Sequence, residues 1–386
     1  MRVVYFAHYA GGTDAASAMD ADLFAEMRAQ GHDVVVLSPF RIPDVGRIGG
    51  SVSAGRLPRF LLSAPGYARM LAAGVRQARV SGTRVASQYH AFHPATLVAF
   101  LVARLQGSPL VARAHDPLPG SYRSALEAWA NRILFRLYRR ILGHPETWVT
   151  VPSPELRELA ATRLGLPREH IVVVPNNVTP DGPPADYPIE RLLGAYGLRG
   201  QRIVLQFGSF TSEGTGTFVE ALRLLGRADV RGVVLADANR GATYRREAER
   251  RGIGDRVLVL GLRPRQEVSA FVALADVCVG ILSADPTARG SLPRNTLESM
   301  ASGRPVVLCE GVVSTTLAEP GVGVLLVPPK DPAALARALA RILDDPELAA
   351  RLGQRAQETI RDRFHSTVVA RSFASLIDGV CGPPRS

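Results

Sequence analysis

One pattern constrains this chain more than any other, and it occurs twice. Short apolar runs rich in Val, Ile and Leu alternate with longer amphipathic stretches. The first series holds "RVVYFAH", "HDVVVLSP", "TRVASQYH", "PLVARAH", "TWVTVPS" and "HIVVVPNN". The second holds "QRIVLQFGSF", "RGVVLADA", "DRVLVLG", "ADVCVGILS", "RPVVLCE" and "VGVLLVPP". Near-continuous apolar runs suit strands buried on both faces, the condition of a parallel sheet covered by helices. The chain opens in that manner: "RVVYFAH", the glycine turn "YAGGTDAAS", a helix expected over Ala15–Gln30, then "HDVVVLSP". Between the series, "NNVTPDGPPADYP" concentrates Asn, Asp and Pro and reads as a linker. The expected fold is α/β, two doubly wound Rossmann-like domains in tandem. The boundaries expected are 1–178 for the first domain, 179–188 for the linker and 189–364 for the second. A last amphipathic helix is expected over 365–382. A length of 386 residues accommodates two domains.

Composition narrows the class. Hydrophobic content of 46% and charged content of 21% fit a globular protein that buries a core without disulfides. Cys278, Cys309 and Cys381 are scattered, without a CxxC pair, so neither a zinc site nor a disulfide framework is expected. The longest apolar run, "ATLVAFLVA", is far short of a membrane span. The N-terminal "MRVVYFAHYAGG" lacks the h-region of a signal peptide, and the expected location is cytoplasmic. The formal charge is +11, and Lys330 is the only lysine. Fifteen arginines lie between Arg41 and Arg140, against Asp44, Asp116 and Glu127. In "GYARMLAAGVRQARV", Arg69, Arg76 and Arg79 share a helical face opposite Tyr67, Met70, Leu71 and Val75. In "NRILFRLYRRILGH", Arg132, Arg136, Arg139 and Arg140 share one opposite Ile133, Leu134, Leu137 and Ile141. Such faces fit either solvent or the anionic inner face of a membrane. Aromatic residues are only 6% and no recognition motif occurs, so nucleic acid is not expected as a partner.

The second series resembles the donor domain of glycosyltransferase family 4. The matching pieces are "VPNNV", "LQFGSF", "VLVLGLRPRQEVSAFVALADVCV", "LESMASGRPVV" and "GVGVLLVPPKDPAALARAL", in that order. More weakly, "HYAGGTDAAS" resembles the Gly-Gly loop that opens the family's acceptor domain. The resemblance implies the GT-B fold, in which two such domains face a cleft and the C-terminal helix returns to the N-terminal domain. It implies sugar transfer from a nucleotide-diphosphate sugar, UDP- or GDP-linked, to an acceptor hydroxyl on a sugar, a glycan, a secondary metabolite or a lipid-linked molecule. It also implies retention of anomeric configuration, no bound metal and no cofactor.

Site residues follow from the same resemblance. Glu298 matches the glutamate that accepts the ribose hydroxyls, and a carboxylate can take both at once. Gly208, Ser209 and the stretch Ser291, Leu292, Arg294, Asn295, Thr296 face the diphosphate, with Pro293 suited to a first helical turn. Gly11 and Gly12 let backbone approach the donor or acceptor. His115, at the end of "PLVARAH", matches a histidine that touches the transferred sugar, and Asp116 orients it or the sugar. His90 and His93 read as a strand-end loop near the acceptor. The chain departs from the family at three places. Gly290 replaces the first glutamate of an E-x7-E pair, and Ser209 and Glu213 stand where an arginine and a lysine neutralise the pyrophosphate. Arg289 and Arg294, then Arg240 and Arg263, are the candidate substitutes. Two other readings stay open: a non-catalytic GT-B partner subunit and a GT-B sugar-nucleotide epimerase.

Overall fold

The computed structural model describes residues 1–7, 15–39, 64–89, 94–115, 135–208, 212–282, 292–310 and 323–381. The chain divides into two compact units, Met1–Asn177 with Ser366–Ser386, and Val178–His365.

The first unit is built on a parallel sheet of order β2-β1-β3-β4-β5-β6. Its strands are β1 (Arg2–Phe6), β2 (Asp33–Leu37), β3 (Thr83–Tyr89), β4 (Leu110–Ala114), β5 (Thr147–Val151) and β6 (Ile171–Val173). Alternate residues of each strand feed opposite layers, so both faces are apolar. On one face lie α1 (Ala15–Ala29) and the C-terminal helix Ser366–Cys381. There Leu23, Met27, Phe373 and Ile377 pack with Val3, Tyr5 and Val111. Burying each large apolar side chain contributes about 1.5–3 kcal/mol, which anchors the last helix far from its neighbours in sequence. Thr367 Oγ1 adds a hydrogen bond to Glu26 of α1 at 2.7 Å. The other face carries α2 (Ala64–Ala78), α3 (Ala95–Leu105), α4 (135–142) and α5 (Pro154–Leu164). Ser153 caps α5 by accepting from the Leu156 amide at 3.2 Å, Pro154 fills its first turn, and Gly165 ends it in a left-handed conformation.

Arg69, Arg76, Arg79, Arg136, Arg139 and Arg140 are all exposed. One apolar expectation fails: Leu137 is 39% exposed, and Tyr138 takes the core position instead at 3%. The angular gap between them is one residue, and the larger ring fills the space over the sheet. Arg132, Ile133 and Leu134 lie outside the described residues.

The second unit has a parallel sheet of order β12-β11-β10-β7-β8-β9. Its strands are β7 (Arg202–Phe207), β8 (Val230–Leu235), β9 (Val257–Leu260), β10 (Val277–Val279), β11 (Val306–Cys309) and β12 (Val324–Val327). The helices are α6 (Ile189–Ala195), α7 (Ser212–Leu225), α8 (Ala238–Arg250), α9 (Arg265–Leu274), α10 (Arg294–Ala301), α11 (Pro332–Asp344) and α12 (Pro346–Thr359). Asp237, Asp331 and Asp345 cap α8, α11 and α12 through their carboxylates. Each such cap contributes about 1 kcal/mol. Two apolar layers cover the sheet, one around Leu205, Phe271, Leu297 and Ile360, the other around Val204, Phe218, Val307 and Leu339. Burial pushes the thiol of Cys278, within β10, up to about 11, so it is an inert core residue. Residues 179–188 belong to this second unit.

Candidate functional site

In the second unit the strand order reverses between β7 and β10, with β8 and β9 to one side and β11 and β12 to the other. Ligands of doubly wound sheets bind outside the carboxyl ends of the strands at such a reversal. Three elements meet there. Gly208 follows β7 with φ +103°, a conformation that L side chains rarely adopt. A Cβ at Gly208 would also come within 2.9 Å of Asn295 Nδ2. Asn295 is one residue into α10 and donates to the Phe207 carbonyl at 2.5 Å. The glycine turn is thereby tied to the start of α10. Gln206, buried on β7, donates to the Gly280 carbonyl beyond β10 at 3.4 Å, and Tyr244 of α8 donates to Gln206 at 2.7 Å. This brace lies beneath the reversal.

The start of α10 is suited to an anion. Pro293 precedes it without a side-chain cap. The Thr296 and Leu297 amides both turn back to the Pro293 carbonyl, at 3.1 and 3.2 Å, and the positive end of the helix dipole lies at this start. Thr296 Oγ1 is buried there with no partner among the described residues. Arg294, only 5% exposed, donates to Glu298 Oε1 at 2.8 Å. Arg265 Nη1 lies 3.8 Å from the same oxygen, while its Nε donates to Asp181 at 2.6 Å. A buried guanidinium at a helix N-terminus opposes the dipole, so Glu298 is the counter-charge that allows it. Glu298 remains 25% exposed.

Each substitute cation that the structure describes already faces a carboxylate. Arg294 faces Glu298, Arg240 faces Asp237 at 3.1 Å, and Arg263 faces Glu267 at 3.3 Å. Leu292 turns its side chain into the core. Arg289, Ser209, Ser291 and Gly290 lie outside the described residues, as does the side chain of Glu213. Sequence reasoning missed Arg265, Gln206 and Tyr244. Only the polar residue inside "RIVLQF" signalled that something buried needed a hydrogen-bonding partner.

The first unit holds a second polar cluster. Arg113 lies on β4 and is 2% exposed, with its guanidinium over the Phe373 ring. Its Nε donates to Asp20 Oδ1 at 3.1 Å and its Nη2 to Asn177 Oδ1 at 3.1 Å. Asp20 sits on the buried side of α1 and also accepts from the Tyr5 hydroxyl at 2.9 Å. His115, at the exit of β4, places Nε2 3.0 Å from Asp20 Oδ1 and Nδ1 3.2 Å from Asn176 Oδ1. Asn177 reaches Met19 and Ser366 as well. Burial by itself would lift the Asp20 carboxyl, but the His115 ring, then Arg113 and Tyr5, hold it below the usual carboxylate value. Burial, reinforced by Asp20, pushes the Tyr5 phenol well above its ordinary range, so it stays a donor. His115 is thus part of a buried network rather than a loose strand-end side chain. Gly11, Gly12, His90, His93 and Asp116 lie outside the described residues. The sequence signal for this cluster was the arginine inside an otherwise apolar strand and the doubled asparagine of "VPNNV". Among the described residues, no group of His, Cys, Asp or Glu side chains converges to hold a metal ion.

Comparisons with known proteins agree across both units. Residues 201–345 match the family described as glycosyl transferases group 1, and residues 21–181 match glycosyltransferase family 4. The chain is 26% identical to an α-D-kanosaminyltransferase of Streptomyces kanamyceticus, over 92% of this chain and 97% of that one. It is 27% identical to a 2-deoxystreptamine glucosyltransferase of the same organism, over 70% of each. Among solved structures, Anabaena HepE in complex with UDP and glucose superposes with a TM-score of 0.73 at 18% identity, covering 98% of this chain and all of that one (100%).

Proposed function

We propose that this chain, a glycosyltransferase family 4-like glycosyltransferase of the GT-B fold, moves a sugar from a nucleoside diphosphate sugar to an acceptor hydroxyl with retention of anomeric configuration. The observation that carries the donor half is Glu298, 25% exposed and braced by Arg294 and Arg265 on a helix that starts without a side-chain cap. A nucleoside diphosphate uses both features. Its ribose hydroxyls donate to the carboxylate, and its diphosphate takes the helix start beside the Gly208 turn. Anabaena HepE, whose structures contain UDP, glucose and UDP-glucose, supports a UDP-linked donor. Reaction without metal places leaving-group stabilisation on backbone amides and arginines. The acceptor class favoured by the relatives' names is a small polyhydroxylated ring, a sugar or an aminocyclitol.

The test is thermal unfolding with UDP, GDP, ADP and TDP and their sugars, followed by turnover of the stabilising donor with a panel of sugar and aminocyclitol acceptors. Saturating ligand at a hundredfold over Kd should raise stability by about 2.7 kcal/mol for one nucleotide. Proton NMR of the product then reads its anomeric configuration. If no nucleotide shifts the transition, the donor assignment is wrong and a non-catalytic role gains.

A lipid-linked acceptor is the second reading, and one observation favours it. α2, α3 and α4 feed the same core layer, and their outward residues include the exposed arginines of α2 and α4 and the apolar Leu101 and Leu105 of α3, 42% and 72% exposed. Cations together with apolar side chains on exposed helix surfaces suit an anionic bilayer. Among the described residues no helix is long and apolar enough to cross a membrane. Sedimentation with phosphatidylglycerol vesicles, but not with phosphatidylcholine vesicles, is the expected result. Equal partitioning between the two would remove this reading.

A further inference from the structure

We propose that Asp20 is a positioning residue for His115: it fixes the ring with Nε2 protonated and leaves Nδ1 as the only ring nitrogen that can turn to a ligand. The assignment follows from who can donate. Arg113 Nε and the Tyr5 hydroxyl both donate to Asp20, at 3.1 and 2.9 Å. An arginine has no acceptor. A carboxylate beside a buried guanidinium is ionised and accepts only. The third group on Asp20 is His115 Nε2, at 3.0 Å from Oδ1, so that nitrogen must carry its proton. The other nitrogen faces Asn176, at 3.2 Å. With the ring proton on Nε2, Nδ1 carries only a lone pair, so the Asn176 amide must present its nitrogen rather than its oxygen there, the half-turned assignment of the same contact. This partner is neutral, and that contact is exchanged for a hydroxyl at lower cost than a charged one.

The groups facing the ring come from several elements: Asp20 from α1, Arg113 from β4 with its charge on the same carboxylate, and Asn176 from the exit of β6. Tyr5 of β1 acts through Asp20. Burial makes this arrangement durable, because Asp20 and Arg113 are 3% and 2% exposed. Neither can rotate into water to release the ring. The expected consequence is a histidine with one tautomer chosen by the protein, as an orienting carboxylate chooses it elsewhere. The reading concerns the side chain itself and stands apart from the identity of the donor.

The experiment reads the ring directly in the full chain without ligand. The protein is labelled with ¹⁵N-histidine, and long-range proton–nitrogen spectra are recorded up to well above the ordinary imidazole range of about 6.5. The chain has 8 histidines, and His115 is assigned by the signals missing in His115→Gln. The expected wild-type result is a protonated Nε2 at every pH, with a proton protected from exchange. Asp20→Ala should lose that protected proton. Asp20→Asn, which keeps an acceptor oxygen, should retain it with the proton resonance moved upfield. Should Asp20→Ala fail to fold by circular dichroism, Asp20→Leu with Arg113→Met carries the same arm without an unpaired charge. A wild-type ring with Nδ1 protonated and Nε2 bare would overturn the proposal. So would a His115 signature unchanged by loss of the Asp20 carboxylate in a folded variant.

Discussion

Asp20→Ala is expected to lower the melting transition of the first unit by about 10 °C or more. The reason is the charge it leaves behind. Among the described residues Arg113 would keep only Asn177 as a polar partner while remaining 2% exposed. Removing one partner of a buried ion pair costs about 3–5 kcal/mol. For a domain of this size each kcal/mol corresponds to roughly 2–4 °C. Asp20→Leu combined with Arg113→Met should recover part of the loss, because the unpaired buried charge is gone while the Tyr5 hydroxyl and His115 Nε2 still lack their acceptor. Calorimetry of the three proteins checks the series. A single variant that melts with the wild type would show that the cluster is solvated. The same carboxylate predicts a pH slope. Its folded value lies below the unfolded one, so its contribution is complete above the unfolded value of about 3.9 and disappears as pH falls through the folded value. Asp20→Ala should lack that part of the acid transition.

Glu298→Ala should weaken the nucleotide by about a hundredfold. Hydrogen bonds to a charged group contribute about 1.5–3 kcal/mol each, and a ribose offers two hydroxyls to one carboxylate. A loss near 3 kcal/mol is roughly a factor of a hundred in Kd. The variant also strips Arg294 of its 2.8 Å partner, so some loss of stability accompanies it. Two controls separate the effects. Glu298→Gln keeps the side-chain length and one acceptor oxygen and should fall between wild type and Glu298→Ala. The stabilising nucleoside diphosphate should bind wild type better than its 2′-deoxy counterpart, and Glu298→Ala should not distinguish them. Calorimetric titration measures both. Equal affinity of wild type for the ribo and deoxyribo forms would remove Glu298 from the ribose site, whatever became of stability.

The fold was legible because its signals are local. A parallel strand buried on both faces must be apolar along its length, so the strands announced themselves as unbroken Val and Ile runs. Glycine turns and the capping Asp-Pro pairs at Asp331 and Asp345 marked helix starts in the same way. The block around Glu298 was legible as a motif, and the structure puts Gly208, Asn295 and Glu298 around one strand reversal. Its electrostatics were not. Arg294 is one of the candidate cations for the phosphate, and a four-residue helical spacing pairs it with Glu298, a partner that its place beside the motif did not announce.

What the sequence by itself determined was the order and type of elements, the two-unit layout and the family resemblance. These rest on interactions within a few residues or on periodicity along one element. Pairing of distant polar groups was decided by the tertiary structure alone. Asp20, Arg113, His115 and Asn177 are separated by long stretches of chain, and nothing in their neighbourhoods says that they converge. Sheet order brings β1, β4 and the exit of β6 to the same layer as α1, and a buried charge there has no water to turn to. Desolvation then makes the partners obligatory, a constraint that appears only once the chain has closed around them.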